Sequence, residues 1–180
     1  VDPMWPKPMP NHWVTGMTIG VSADPQDNIW IIHRGGSLEP KEHYNDTNPP
    51  GASCCNVAPP ILEFDQAGNL IGHFGGPGPG YNWPNSNHGI TVDYKGNVWI
   101  GGNSATVDPK LNDPQIDALA EAGGNQPGGK YADNQVLKFT KDGKFLMQIG
   151  KPFQSKGSND PDNLRGPAKI FVDPKANEVY

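Results

Sequence analysis

Apolar and polar positions alternate with period two in short runs along the chain. "TIGVSADPQDNIWIIHR" holds two such runs around a polar turn, and "NHGITVDYKGNVWIGGN" (residues 87 to 103) holds two more. "AKIFVDPKANEVY" ends the chain with a third pair. Gly20, Val21, Ser22, Ala23 and Asp24 match Gly89, Ile90, Thr91, Val92 and Asp93 at an offset of 69 residues. Each set is followed by Asn, an apolar residue and Trp: Asn28, Ile29 and Trp30, then Asn97, Val98 and Trp99. The third copy runs from Lys169 to Asp173, 80 residues further on, with Asn177 and Val179 in the matching places. Between these copies, "ILEFDQAGNLIGHFG" (61–75) matches "VLKFTKDGKFLMQIG" (136–150) at an offset of 75, and both alternate around a turn containing Gly68 or Gly143. Alternation of this length predicts strands with one face turned to the core.

Each repeat therefore predicts four short strands, two before a long insertion and two after it. Four-stranded antiparallel units that recur along a chain are the blades of a β-propeller, in which neighbouring blades cover each other's faces. The expected fold is all-β. Residues 1–19 form an N-terminal segment, 20–75 a first blade, 88–150 a second, and 163–180 the start of a third that stops at Tyr180. Too few blades to close a ring predicts the N-terminal part of a larger propeller. Such a fragment, with an open sheet edge, is expected to aggregate, oligomerise or remain partly unfolded by itself. A small β-sandwich is the alternative, and the repeat argues against it. The insertions, 35–60 and 103–135, are long enough to be functional loops. Asp113, Pro114, "QIDALAEA" and Gly123 predict one short helix in the second.

Composition narrows the class. The 180 residues include 23 Gly and 20 Pro, a content near that of low-complexity chains, yet five Trp and the regular alternation argue for a turn-rich folded protein. A net charge of −5 with no basic run argues against a nucleic-acid surface. No stretch reaches the length of a membrane span. Cys54 and Cys55 are adjacent and are the only cysteines. They form either a vicinal disulfide, which implies an oxidising compartment, or two free thiols; two cysteines without a partner pair argue against a zinc knuckle.

"GNQPGGK" (124–130) has phosphate-loop spacing, but Tyr131 follows where Ser or Thr is needed and no strand leads into it. "GGPGPG" (75–80) lacks dinucleotide spacing and reads as a connecting loop, and Asn45 begins a glycosylation triplet of a kind common by chance. The candidate chemistry is at the strand ends. His88 stands just before an inner strand, at a channel mouth, where it either offers a ring nitrogen to a metal or caps a loop by hydrogen bonding. Its counterparts in the other copies are Ile19 and Ala168. Arg34, after His33 in "WIIHRGG", either clamps a carboxylate or is a solvated strand end or structural ion pair.

The strand–turn–strand motif and "NQVLKFTKDGKFL" resemble NHL repeats. The order "GVSADPQDNIWIIHRGG", "PPILEFD", "HGITVDYKGNVWIGGN", "NQVLKF" and "GPAKIFVDPKANEVY" resembles the peptidyl-α-hydroxyglycine α-amidating lyase family, secreted six-bladed NHL propellers. "WPKPMPNHWVTG" and "CCNVAPP" are most similar to bacterial exported relatives of that family. The resemblance runs from about Trp5 to Tyr180 and rests on the order of the motifs rather than on any one of them. It implies that Arg34 faces a substrate carboxylate, that His88 is one of three zinc-binding histidines, and that the backbone carbonyls of Val21 and Ile90 bind a structural calcium. Carbonyl oxygen suits Ca²⁺. The other two histidines, the calcium-binding aspartate and the catalytic tyrosine belong to blades beyond Tyr180, and Tyr180 itself is not that tyrosine. The vicinal cysteines depart from the animal lyases.

The resemblance implies cleavage of a peptide's C-terminal α-hydroxyglycine to an amide and glyoxylate, with zinc and calcium as cofactors and an extracellular or periplasmic location. With one zinc histidine of three, the chain alone is expected to be inactive. A non-catalytic exported propeller that binds a small ligand or a protein is the alternative. A lactonase-type hydrolase fits less well, because it needs an acidic metal ligand where His88 stands.

Overall fold

The computed structural model describes residues 2, 4–43, 54–104, 132–152, 154–155 and 159–180. The expected helix around 113–123, the "GNQPGGK" run and the triplet at Asn45 lie outside the described residues. The strands in chain order are β1 (Trp13–Val14), β2 (Met17–Ala23), β3 (Ile29–Arg34), β4 (Asn56–Val57), β5 (Ile61–Phe64) and β6 (Leu70–Phe74). They continue with β7 (Asn87–Val92), β8 (Val98–Gly102), β9 (Val136–Phe139), β10 (Phe145–Ile149), β11 (Val172–Asp173) and β12 (Glu178–Val179). Among the described residues the only helical turns are three short 3-10 segments, so the fold described is all-β.

Two four-stranded antiparallel sheets dominate, in the orders β2-β3-β5-β6 and β7-β8-β9-β10. Within these two sheets each strand pairs with the next one along the chain, β4 excepted because it lies outside them between β3 and β5, and the long insertions fall between the second and third strands of each sheet. The third copy forms the hairpin β11–β12, extended by reciprocal backbone bonds between Phe171 and Tyr180, 2.8 Å each.

Side-chain chemistry sets the turns. Asp24 ends β2, and its carboxylate accepts from the backbone N–H groups of Gln26 and Asn28, the Asn28 amide and Trp30 Nε1. Asp93 repeats this with Lys95, Asn97 and Trp99. A short aspartate that bonds the backbone two residues on is a turn-former. The turns close through a left-handed residue, Asp27 at φ 61° and Gly96 at φ 79°, which bends a three-residue hairpin. The third hairpin differs. Asn177, aligned with Asn28 and Asn97, itself takes the left-handed conformation (φ 56°) in a loop one residue longer. With no tryptophan after it, Asp173 caps only the N–H groups of Lys175 and Ala176.

The sheets bury both faces. Trp30, Ile32 and Ile61 of the first sheet pack against Ile90, Val98, Ile100, Leu137 and Phe139 of the second, with Trp83 beside them. The opposite face of the first sheet, Leu62 and Phe64, is covered by Trp5, Met9 and Trp13 from the N-terminal segment. The opposite face of the second, Trp99 and Val136, is covered by Ile170 and Val172. This explains why β5 and β8 are buried at every position rather than at alternate ones.

β2 lies beside β7, and β7 beside the segment leading into β11, through similar close contacts. A Cβ on Gly20 would come within 3.0 Å of Gly89 Cα, and a Cβ on its counterpart Gly89 would collide with the carbonyl of Ala168. Ser22 Oγ accepts from Val92 N–H at 3.0 Å, and its counterpart Thr91 donates to the Ile170 carbonyl at 2.6 Å. A cross-sheet ion pair adds to the first joint: Lys141 Nζ lies 2.7 Å from Glu63 Oε1 and 3.6 Å from Asp24 Oδ2.

The end of the first insertion adds a feature that alternation did not predict. β4 pairs in parallel with β1, matching Trp13 to Asn56 and Val14 to Val57. Two-residue strands are too short to carry a period. Cys54 and Cys55, just before β4, are joined to each other as a disulfide.

Candidate functional site

The end of β3 and the start of β7 meet at one end of the two sheets. Arg34 closes β3, as expected. His88 lies inside β7, one residue after its start, rather than just before the strand, because Asn87 already pairs with Gly102. Asn87 ties the units together. Its side-chain amide donates to the His33 carbonyl at 3.0 Å, and its own carbonyl accepts from Arg34 Nε at 3.1 Å. Arg34 Nη2 donates to Asn103 Oδ1 at 2.9 Å, an oxygen that also accepts from Ser86 Oγ at 3.0 Å. The guanidinium is therefore held on one edge, while Nη1 has no hydrogen-bond partner among the described residues.

The half-buried His88 ring is oriented by the next unit. Nδ1 lies 3.1 Å from the Ala168 carbonyl. A carbonyl only accepts, so Nδ1 carries the proton, which in the neutral ring leaves the lone pair on Nε2. Nε2 has no partner among the described residues. His33, the adjacent candidate, is spent within the fold: Nδ1 accepts from Gly16 N–H at 3.2 Å, so Nε2 carries the proton and donates to the Pro59 carbonyl at 3.0 Å. Burial holds its pKa below the ordinary histidine value, although the contacts to Pro59 and Ala58 work the other way.

Beneath the strand ends is a residue that periodicity could not mark. Asp133 is fully buried, and its carboxylate accepts from the backbone N–H groups of Asn85 (2.8 Å), Ser86 (2.9 Å) and Ser104 (3.0 Å). Burial raises its pKa, against the pull of these bonds and of nearby Arg34. Gly102 leaves room for it, because a Cβ there would collide with the Asp133 carboxylate. The sequence clue was slight: an acidic residue three positions before the VLKF strand.

The carbonyl-bearing pair expected from the resemblance is split in environment. Val21 is exposed, whereas Ile90 is fully buried and its carbonyl lies 3.4 Å from Lys169 Nζ. No cluster of three or more His, Cys, Asp or Glu suited to a metal occurs among the described residues. No described helix is long and apolar enough to cross a membrane. Comparison with models of protein families and with curated proteins finds no match for this chain.

Proposed function

We propose that the chain forms two blades and part of a third in an NHL-type β-propeller. We propose further that the whole protein is a lyase that converts a peptidyl-α-hydroxyglycine to a peptide amide and glyoxylate. The propeller reading is supported by the similar joints between successive units, since one rotation applied repeatedly generates a ring. The lyase reading is carried by one observation: through Asn87, Arg34 of one unit and His88 of the next are brought to the same strand ends.

Each residue suits its role. Nη1 of Arg34, with no partner among the described residues, keeps its N–H groups available to a carboxylate. The proton on Nδ1 of His88, held by a backbone carbonyl, is the arrangement found around metal-bound histidines, so His88 fits a zinc site. Zinc, when bound, supplies Lewis-acid polarisation of the substrate hydroxyl. In the reaction the hydroxyl proton leaves, its oxygen forms the aldehyde of glyoxylate, the C–N bond breaks and the amide nitrogen takes a proton. Arg34 holds the carboxylate so that this carbon is presented in one orientation. Ile90 fits calcium poorly while the Lys169 ammonium faces its carbonyl, and no step is assigned to calcium.

The test uses the full-length protein, its zinc content, and glyoxylate release from N-benzoyl-α-hydroxyglycine. Wild type should bind zinc and release glyoxylate; His88→Ala should lose both, and Arg34→Ala should raise KM. Zinc binding without glyoxylate release in wild type would reject the lyase and favour the ligand-binding propeller.

A further inference from the structure

We infer that Asn103 is a positioning residue that sets the carboxylate preference of this site by fixing the Arg34 guanidinium, with Asp133 as the anchor behind it. The inference rests on Arg34 as the carboxylate-binding group, and goes beyond it by naming what aims that group.

An arginine side chain has several rotatable bonds and reaches a defined place only when its head is gripped. Arg34 is gripped at two points, Nε by the Asn87 carbonyl and Nη2 by Asn103 Oδ1. Two contacts on one edge of a planar fork fix its plane and leave the opposite edge for a ligand. Both gripping residues stand on backbone that Asp133 organises. Its carboxylate bonds the N–H groups of Asn85 and Ser86, just before Asn87, and of Ser104, just after Asn103. Ser86 Oγ donates to Asn103 Oδ1, so the amide oxygen is aimed at Arg34 from two sides.

The neutrality of Asn103 is part of the argument. A carboxylate at this position would grip Arg34 more strongly, but would pair with the charge a substrate carboxylate needs. An amide orients the guanidinium and leaves its charge available. Asn103 is exposed while Asp133 is fully buried, so the aiming group can be changed without disturbing the anchor.

Full-length wild type, Asn103→Ala, Asn103→Asp and Arg34→Ala are compared by turnover of N-benzoyl-α-hydroxyglycine, by calorimetric binding of N-benzoylglycine, and by hydrogen exchange of the Arg34 Nε–H. Losing one hydrogen bond to a charged group predicts roughly a tenfold rise in KM for Asn103→Ala, with kcat within about twofold and an unchanged melting temperature. Asn103→Asp should raise KM at least as far while keeping the Nε–H protected, a separation that a purely structural role would not produce. Asn103→Ala should expose the Nε–H to exchange. If Arg34→Ala changes neither binding nor turnover, the carboxylate reading of Arg34 fails. If Arg34→Ala weakens both but the Asn103 variants match wild type, the positioning role alone is overturned. Should wild type bind no N-benzoylglycine, exchange still decides whether Asn103 positions Arg34: unchanged protection in Asn103→Ala refutes it.

Discussion

Lys141 Nζ lies 2.7 Å from Glu63 Oε1, across the boundary between the two four-stranded sheets. The partners differ in exposure: the lysine side chain is 44% exposed and the glutamate side chain 3%. The glutamate also accepts from the Asn28 amide at 3.1 Å, so removing the lysine strips a buried carboxylate of its cation but not of every partner.

Lys141→Ala is therefore expected to destabilise the protein by about 1–2 kcal/mol, below the cost of breaking a fully buried pair because water screens the lysine. Glu63→Gln should remove most of that sensitivity. A double-mutant cycle in urea measures the coupling, and additive effects would show that the pair does not join the sheets.

The Asp93 carboxylate is held below the ordinary carboxylate range: burial opposes this, but the bonds from Trp99, Asn97 and Lys95 together outweigh it. A depressed folded pKa contributes stability that is present above the unfolded value of about 4 and is lost as pH falls through the lower folded value. Asp93→Ala should cost about 2–4 kcal/mol at neutral pH, because Trp99 Nε1 and the turn N–H groups lose their acceptor. Its unfolding free energy should also fall less steeply below pH 4 than that of wild type. Equal acid slopes would show that the cap is not ionised in the fold.

His33 predicts the opposite direction on the pH axis from a histidine that gains an anion. Its folded pKa is lowered, so the folded state binds fewer protons than the unfolded one. Stability should be full above the unfolded value of about 6.5 and decline as pH falls toward the lower folded value. Melting temperatures of wild type and His33→Gln between pH 5 and 7.5 read this directly. The wild-type curve should fall with acid over that range and the variant curve should be flatter.

Gly89→Ala tests the joint between the second unit and the third. Gly89 has φ +65°, and an added Cβ meets the Ala168 carbonyl. Backbone strain and collision together should cost more than about 2 kcal/mol. The His88 Nδ1–H bond to the same carbonyl should break, visible as a shift of the His88 ring nitrogen resonances. Gly36→Ala, with open space around the added carbon, is the control.

Much of this architecture was legible because its cause is periodic. Alternation and recurrence located both four-stranded sheets, and the recurring Asp, Asn and Trp marked turns that one carboxylate closes. The third copy aligned equally well, yet Asn177 does a different job, since the alignment hides a one-residue change in loop length. Arg34 and His88 could be nominated from strand ends, but their shared contact through Asn87 joins residues 53 apart and leaves no local trace. Asp133 and Asn103 were missed for the same reason: their partners are backbone N–H groups and a distant guanidinium, which impose no spacing on the chain.

The joint that sets Gly20 against Gly89 and Gly89 against Ala168 has a genetic consequence. Because each unit offers its successor the surface it received from its predecessor, a tandem duplication of one unit would arrive with both mating surfaces in place. A single ancestral unit could have multiplied in this way and kept each copy's packing intact. Individual copies would then be free to drift at positions outside the joint. Position 88 has changed even at the joint, carrying His, which bonds the Ala168 carbonyl, where its counterparts are Ile19 and Ala168.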